Sequence, residues 1–96
     1  MKDKEAYYAI IPADVRYCNK LTANAKLLYG EITALCHREG FCWATNTHFA
    51  KLYKVNRATI SVWINSLEEN EFIKCKVKNN NMRKIYLGGV LEKSNR

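Results

Sequence analysis

The hydrophobic positions fall into three helical stretches and one alternating pair. Leu21, Ala25, Leu28, Ile32 and Leu35 recur at steps of 4, 3, 4 and 3, one face of a helix. Thr22 can cap its start and Gly40 can supply a left-handed stop, which predicts a first helix near 22 to 38. Phe49, Ala50, Leu52 and Tyr53 predict a short second helix near 46 to 53, with Thr45 at the cap position. Between them "FCWA", Phe41 to Ala44, is short and aromatic and reads as a brief strand. Lys54 and Val55 make a tight break, and Asn56 caps a third helix whose core face is Ile60, Trp63, Ile64 and Leu67. Upstream, Tyr7 to Ile11 reads as an extended lead-in that packs its aromatics on the core and ends at Pro12.

After the third helix the period changes to two. In "FIKCKVK", Ile73, Cys75 and Val77 point one way and Lys74, Lys76 and Lys78 the other. Asn79 to Asn81 make a turn, because asparagine tolerates the left-handed conformation. "RKIYL" returns with Ile85 and Leu87 inward, and Gly88 and Gly89 end it. The result is a β-hairpin with a basic tip and face. A short helix, a tight turn and an amphipathic helix form a helix-turn-helix, and a basic hairpin makes it winged. The fold class is therefore α+β, mainly α: three helices, a short strand and a C-terminal β-hairpin wing. One domain is expected over residues 1–89, with 90–96 as a tail or the start of a linker; 96 residues can bury one modest core.

The charge is uneven. The net charge is +7; residues 1–50 hold six Lys/Arg against five Asp/Glu, and residues 51–96 hold ten against four. Such a surplus on one half points either to a polyanion, most simply nucleic acid, or to a solvated face kept for solubility. The outer face of the third helix sharpens the choice. Without its core residues it offers Arg57, Ala58, Thr59, Ser61, Val62 and Asn65, and carries no acid from Asn56 to Ser66. Arginine can bond a guanine edge in two places and asparagine an adenine edge; Ala and Val can touch a thymine methyl. Thr59 and Ser61 can bond a base or a phosphate, or simply be polar helix positions. Glu68, Glu69 and Glu71 gather at the far end, where they can lie outside a groove. Thr45, Asn56, Lys74, Lys76, Lys78, Arg83 and Lys84 are candidates for contacts to the phosphate backbone. Lysines also protect an edge strand, but these exceed that need.

Other chemistry is thin. Cys18, Cys36, Cys42 and Cys75 lack the paired spacing of a zinc site, and His37 and His48 lack a partner at fixed spacing. No phosphate-binding glycine loop or nucleophile motif is present, so neither an enzyme nor a cofactor is expected. "MKDKEAYYAIIPADV" contains acids and lacks a long apolar run, and no stretch reaches the length of a membrane span. The expectation is a cytoplasmic protein with four free thiols.

The pieces "LTANAKLLYGEI", "GFCWATNTHFAKLY" and "VNRATISVWINSLEENEFI" resemble the winged helix-turn-helix domain at the N-terminus of replication initiators and replisome organisers. Those proteins come from phages and plasmids of Gram-positive bacteria and include relatives of the DnaD primosome protein. The resemblance covers about Ile10 to Leu87. It implies double-stranded DNA binding through the third helix with support from the wing. It also implies pairing as a dimer on repeated sites, and contacts with replisome or helicase-loading proteins through a second domain not in this chain. Two positions depart from the pattern. Lys54 and Glu71 stand where the family often has glycine. If the turn requires positive φ, Lys54 stores roughly 1 kcal/mol of strain; at the end of the third helix, Asn70 is expected to take the left-handed role. Two other uses fit the same residues: a small phage protein that binds and inhibits a host protein, and a transcriptional repressor.

Overall fold

The computed structural model describes residues 8–77 and 82–88. Its elements are α1 (Ala13–Arg16), α2 (Ala23–Glu39), α3 (Asn46–Tyr53), α4 (Arg57–Glu69), β1 (Ile73–Val77) and β2 (Arg83–Leu87). The three long helices match the predicted ones, so α4 is the third predicted helix. The expected turn at 79–81, Tyr7, Lys78, Gly89 and the tail lie outside the described residues.

Each long helix starts on a local side chain. The Thr22 hydroxyl accepts from the Ala25 N–H at 3.1 Å, Thr45 from His48 N–H at 3.0 Å, and the Asn56 Oδ1 from Thr59 N–H at 3.0 Å. These caps satisfy donors that a helix start leaves without partners. Gly40 ends α2 at φ 81, as expected. The buried face of α2 is wider than the sequence spacing implies. Tyr29 and Cys36 join Ala25, Leu28 and Ile32, while Leu35 moves to the flank. Leu21 is buried just ahead of the helix.

The lead-in differs in part from expectation. Pro12 ends it as expected, in the extended conformation at φ −62 and ψ 160, but it is also the N-cap of a one-turn helix, α1, that the spacing does not predict, its carbonyl accepting from Val15 N–H and Arg16 N–H at 3.0 and 2.8 Å. Proline suits a helix start because its missing N–H is not needed there. One turn is too short to show a hydrophobic period. Nor do the described aromatics pack inward, since Tyr8 is 82% exposed. Ile11 packs on the core instead, and the Ile10 N–H donates to Thr33 Oγ1 at 2.8 Å. Gly30 makes this approach close: a Cβ there would sit 3.1 Å from both Ala9 Cβ and Ile11 Cγ1.

β1 and β2 pair antiparallel in the register Ile73↔Leu87, Cys75↔Ile85 and Val77↔Arg83, with Lys74↔Tyr86 and Lys76↔Lys84 between. The brief strand expected at 41–44 contracts to a bridge. Cys42 and Ile85 exchange backbone hydrogen bonds at 2.8 and 2.9 Å. Ile73 and Ile85 are buried, but Val77 is 68% exposed although its register is inward. The core has ended by that rung, and the residue opposite is Arg83.

Two non-glycine residues adopt the left-handed conformation, Lys54 at φ 59 and Glu71 at φ 67. Lys54 does so as the C-cap of α3, and the Val55 N–H reaches back to the Ala50 carbonyl at 3.0 Å. Asn70 does not take the left-handed role at the end of α4. It sits at φ −92 and donates its amide to the Ser66 carbonyl at 2.8 Å. Glu71 follows with positive φ, so that Phe72 N–H bonds the Leu67 carbonyl at 3.0 Å. The left-handed region costs an L-residue roughly 1–2 kcal/mol, partly offset by the roughly 0.5–1 kcal/mol of chain entropy that glycine brings. Lys54→Gly is therefore expected to raise stability by about 0.5–1 kcal/mol, read as a higher urea midpoint at unchanged slope.

Three thiols surround one residue. Cys36 Sγ lies 3.7 Å from the Ile85 carbonyl, while Cys42 and Cys75 flank Ile85 across the sheet. Burial pushes the Cys36 and Cys75 thiols up to about 11 and also raises Cys42. At neutral pH they stay protonated and act as small apolar groups, Cys36 and Cys42 buried and Cys75 half-buried. All four cysteines are free, and among the described residues no three His, Cys, Asp or Glu side chains are grouped to hold a metal ion. No described helix is long and apolar enough to cross a membrane.

Candidate nucleic-acid interface

The outer surface of α4 follows from how its inner surface is held. Ile60, Ile64 and Leu67 are fully or almost fully buried. Trp63 is half-buried on the flank, edge-on to Tyr53 with ring centroids 6.3 Å apart. It thus braces α4 against the end of α3. Burial, with Glu31 beside it, pushes the Tyr53 hydroxyl up to about 12, so this contact stays neutral.

With that face fixed, Arg57, Ala58, Val62 and Asn65 are exposed, and Thr59 and Ser61 are half-buried. Ala58, Val62 and Asn65 follow one another at helical spacing, so they form a single ridge. Thr59 is less available than the sequence spacing implies, because its hydroxyl donates to Asn56 Oδ1 at 3.0 Å. It completes the cap of α4, and the same bond engages the Asn56 side chain. Neither α3 nor α4 carries an acid in its first turn, so both present the positive end of the helix dipole.

Beside the ridge, an open groove between α3 and the start of α4 is lined by Thr47, Ala50, Lys51, Val55, Asn56 and Arg57. Sequence reading missed Thr47 and Lys51. Their signal was their spacing of four along a helix whose opposite side carries Phe49, but a single lysine on a short helix does not stand out.

On the hairpin, the outward pairs are Lys74↔Tyr86 and Lys76↔Lys84. Like charges directly opposite each other destabilise a sheet. Here each ammonium lies over a ring, Lys76 Nζ 5.7 Å from the centroid of Tyr86 and Lys84 Nζ 4.5 Å from that of Phe41. The two rings are themselves 6.1 Å apart. The contacts hold two positive charges on one outward face. Arg83 departs from the expected pattern. Its charge placed it with the basic tip, although alternation sets it on the side of Ile85 and Leu87; its guanidinium does turn inward: Nη1 donates to Asn46 Oδ1 at 2.8 Å and Nη2 to the Ala44 carbonyl at 2.7 Å.

Two helices meeting at a left-handed turn, followed by a hairpin bridged to the segment between the first long helix and the second, define a winged helix-turn-helix. Residues 19–73 match a family model described as a helix-turn-helix domain, more than half of the chain, and the protein belongs to that family. No curated protein and no solved structure matches the chain. The helix-turn-helix is a DNA-binding fold, and DNA is the partner it implies.

Proposed function

We propose that the protein binds a specific duplex sequence, with α4 in the major groove and the wing on the phosphate backbone. The observation that carries this reading is the outer ridge of α4, free of acids from Arg57 to Ser66, with Lys51 and Arg57 lining the groove beside its start. Arg57 and Asn65 are the base-reading residues, and Ala58, Ser61 and Val62 complete the surface that meets base edges. Thr59 and Asn56 hold the start of the helix. Thr45, Lys74, Lys76, Lys78 and Lys84 serve the backbone; Thr47 and Lys51 extend that set along the groove. The resemblance to replication initiators and replisome organisers supports a role at a phage or plasmid origin, on repeated sites bound by a dimer. A transcriptional repressor would use the same chemistry at a promoter.

Selecting bound duplexes from a random pool tests the reading directly. The expected result is one recurrent motif, present as a repeat. Retention of every sequence alike would refute base reading. A plasmid that carries the selected site and replicates only when the protein is supplied separates an initiator from a repressor.

Lys76→Ala has a distinct signature. Affinity should fall by a similar factor on every sequence, and the slope of log K against log salt should flatten by about 0.9 for one phosphate contact. A sequence-dependent loss would instead place Lys76 at a base edge.

A further inference from the structure

Arg83 is a basic wing residue whose charge is directed away from solvent. Its two Nη atoms grip Asn46 Oδ1 at 2.8 Å and the Ala44 carbonyl at 2.7 Å, the residues on either side of Thr45, the cap of α3. Its Nε–H is enclosed and has no partner among the described residues. An enclosed donor without a partner is unfavourable, and both Nη atoms are engaged by protein oxygens, so the guanidinium is not presented to a phosphate as an open fork. The geometry instead joins the free end of β2 to the first turn of α3, across about forty residues of chain. The bridge between Cys42 and Ile85 is the neighbouring link between the same two segments.

We propose that Arg83 is a positioning residue for DNA binding: it fixes the wing against the helix-turn-helix and does not itself neutralise a phosphate. The inference rests on the DNA-binding reading above. A planar fork can bond a carbonyl and an amide oxygen at once, whereas a lysine ammonium at the same site is a point charge on a flexible stem. The wing lysines are attached to a two-stranded ribbon, which has little stiffness alone. Once Arg83 ties that ribbon to α3, Lys76 and Lys84 hold a fixed distance from α4 and can meet phosphates while α4 occupies the groove.

The test uses Arg83→Lys, Arg83→Gln, Asn46→Ala and the double variant Arg83→Gln/Asn46→Ala. Duplex affinity is measured across a salt series with hydroxyl-radical footprinting, and folding is checked by far-UV circular dichroism and thermal melting. Asn46→Ala removes no charge. It should nevertheless flatten the salt slope as Arg83→Gln does, by about 0.9 for each phosphate contact the wing gives up. Both should lose wing-side protection and keep the α4 footprint. Arg83→Lys should not rescue, and the double variant should be no worse than Arg83→Gln alone. Wild-type behaviour of Arg83→Lys together with a silent Asn46→Ala would overturn the inference and make Arg83 a charge contact. Loss of the α4 footprint along with the wing footprint, or failure of Asn46→Ala to fold, would also overturn it, in favour of a general stabilising role. Wild-type protein that binds no duplex at low salt would reject the DNA reading itself, an outcome distinct from both.

Discussion

Replacing Phe49 with alanine is expected to lower stability by about 3–5 kcal/mol, the usual cost of removing a buried aromatic side chain. Phe49 is fully buried, and it and Ala50 are the two buried residues of α3, with Tyr53 packed at the edge of the same core. A helix of 8 residues does not hold its own shape in water, so α3 persists only because this face is anchored. Domains of this size are stable by roughly 5–15 kcal/mol in total, and the loss takes a large share of that. Because α3 also sets the angle of α4, duplex binding should fall with the fold. Leu52→Ala on the same helix is the control. Leu52 is 50% exposed, and its truncation should cost less than about 1.5 kcal/mol, well under the Phe49 loss. Chemical denaturation separates the two, and equal midpoints would mean that α3 is not attached through Phe49.

Asn65→Ala should move stability and binding in opposite directions. Asn65 is exposed in the body of α4, where asparagine is a poorer helix former than alanine by about 0.5 kcal/mol. Stability should therefore rise slightly. If Asn65 bonds an adenine edge, affinity for the selected duplex should fall by about 1–3 kcal/mol, with discrimination relaxed at one base position. A general packing defect cannot produce that pair of results. Arg57→Ala should cause a loss of similar size at a different base position, for a guanine contact. Arg57 also borders the groove with Lys51, so a phosphate role is its alternative. That role would show as a uniform loss with a flatter salt slope. Cognate binding untouched by both substitutions would remove α4 as the reading helix.

Much of this architecture is legible residue by residue. Thr22, Thr45 and Asn56 each cap a helix that begins on the following residue, since a cap involves only neighbours along the chain. The core face of α4 is equally local, because Ile60, Ile64 and Leu67 meet one another by helical spacing alone. The need for a left-handed residue after α3 is local too, and Lys54 meets it despite its side chain. At the end of α4 the same reasoning chose Asn70 over Glu71. The preference of asparagine for that conformation is weaker than the position of the last helical hydrogen bonds. Thr59 shows the limit within one helix: its hydroxyl is bound by the Asn56 cap, which a face-by-face reading treats as free.

By itself the sequence determined the three long helices, the caps at their starts, the inward and outward faces of α4 and the concentration of cationic residues in the second half. Those properties depend on contacts within a few residues and on composition. Only the tertiary structure decided that Tyr8 stays exposed while Ile11 packs, that Val77 lies beyond the core, that Thr47 and Lys51 line a groove with Arg57, and that Arg83 clamps the wing to α3. Each of these depends on which distant segment arrives opposite a side chain. A period of two or of 3.6 tells which way a residue points, but not what it meets there.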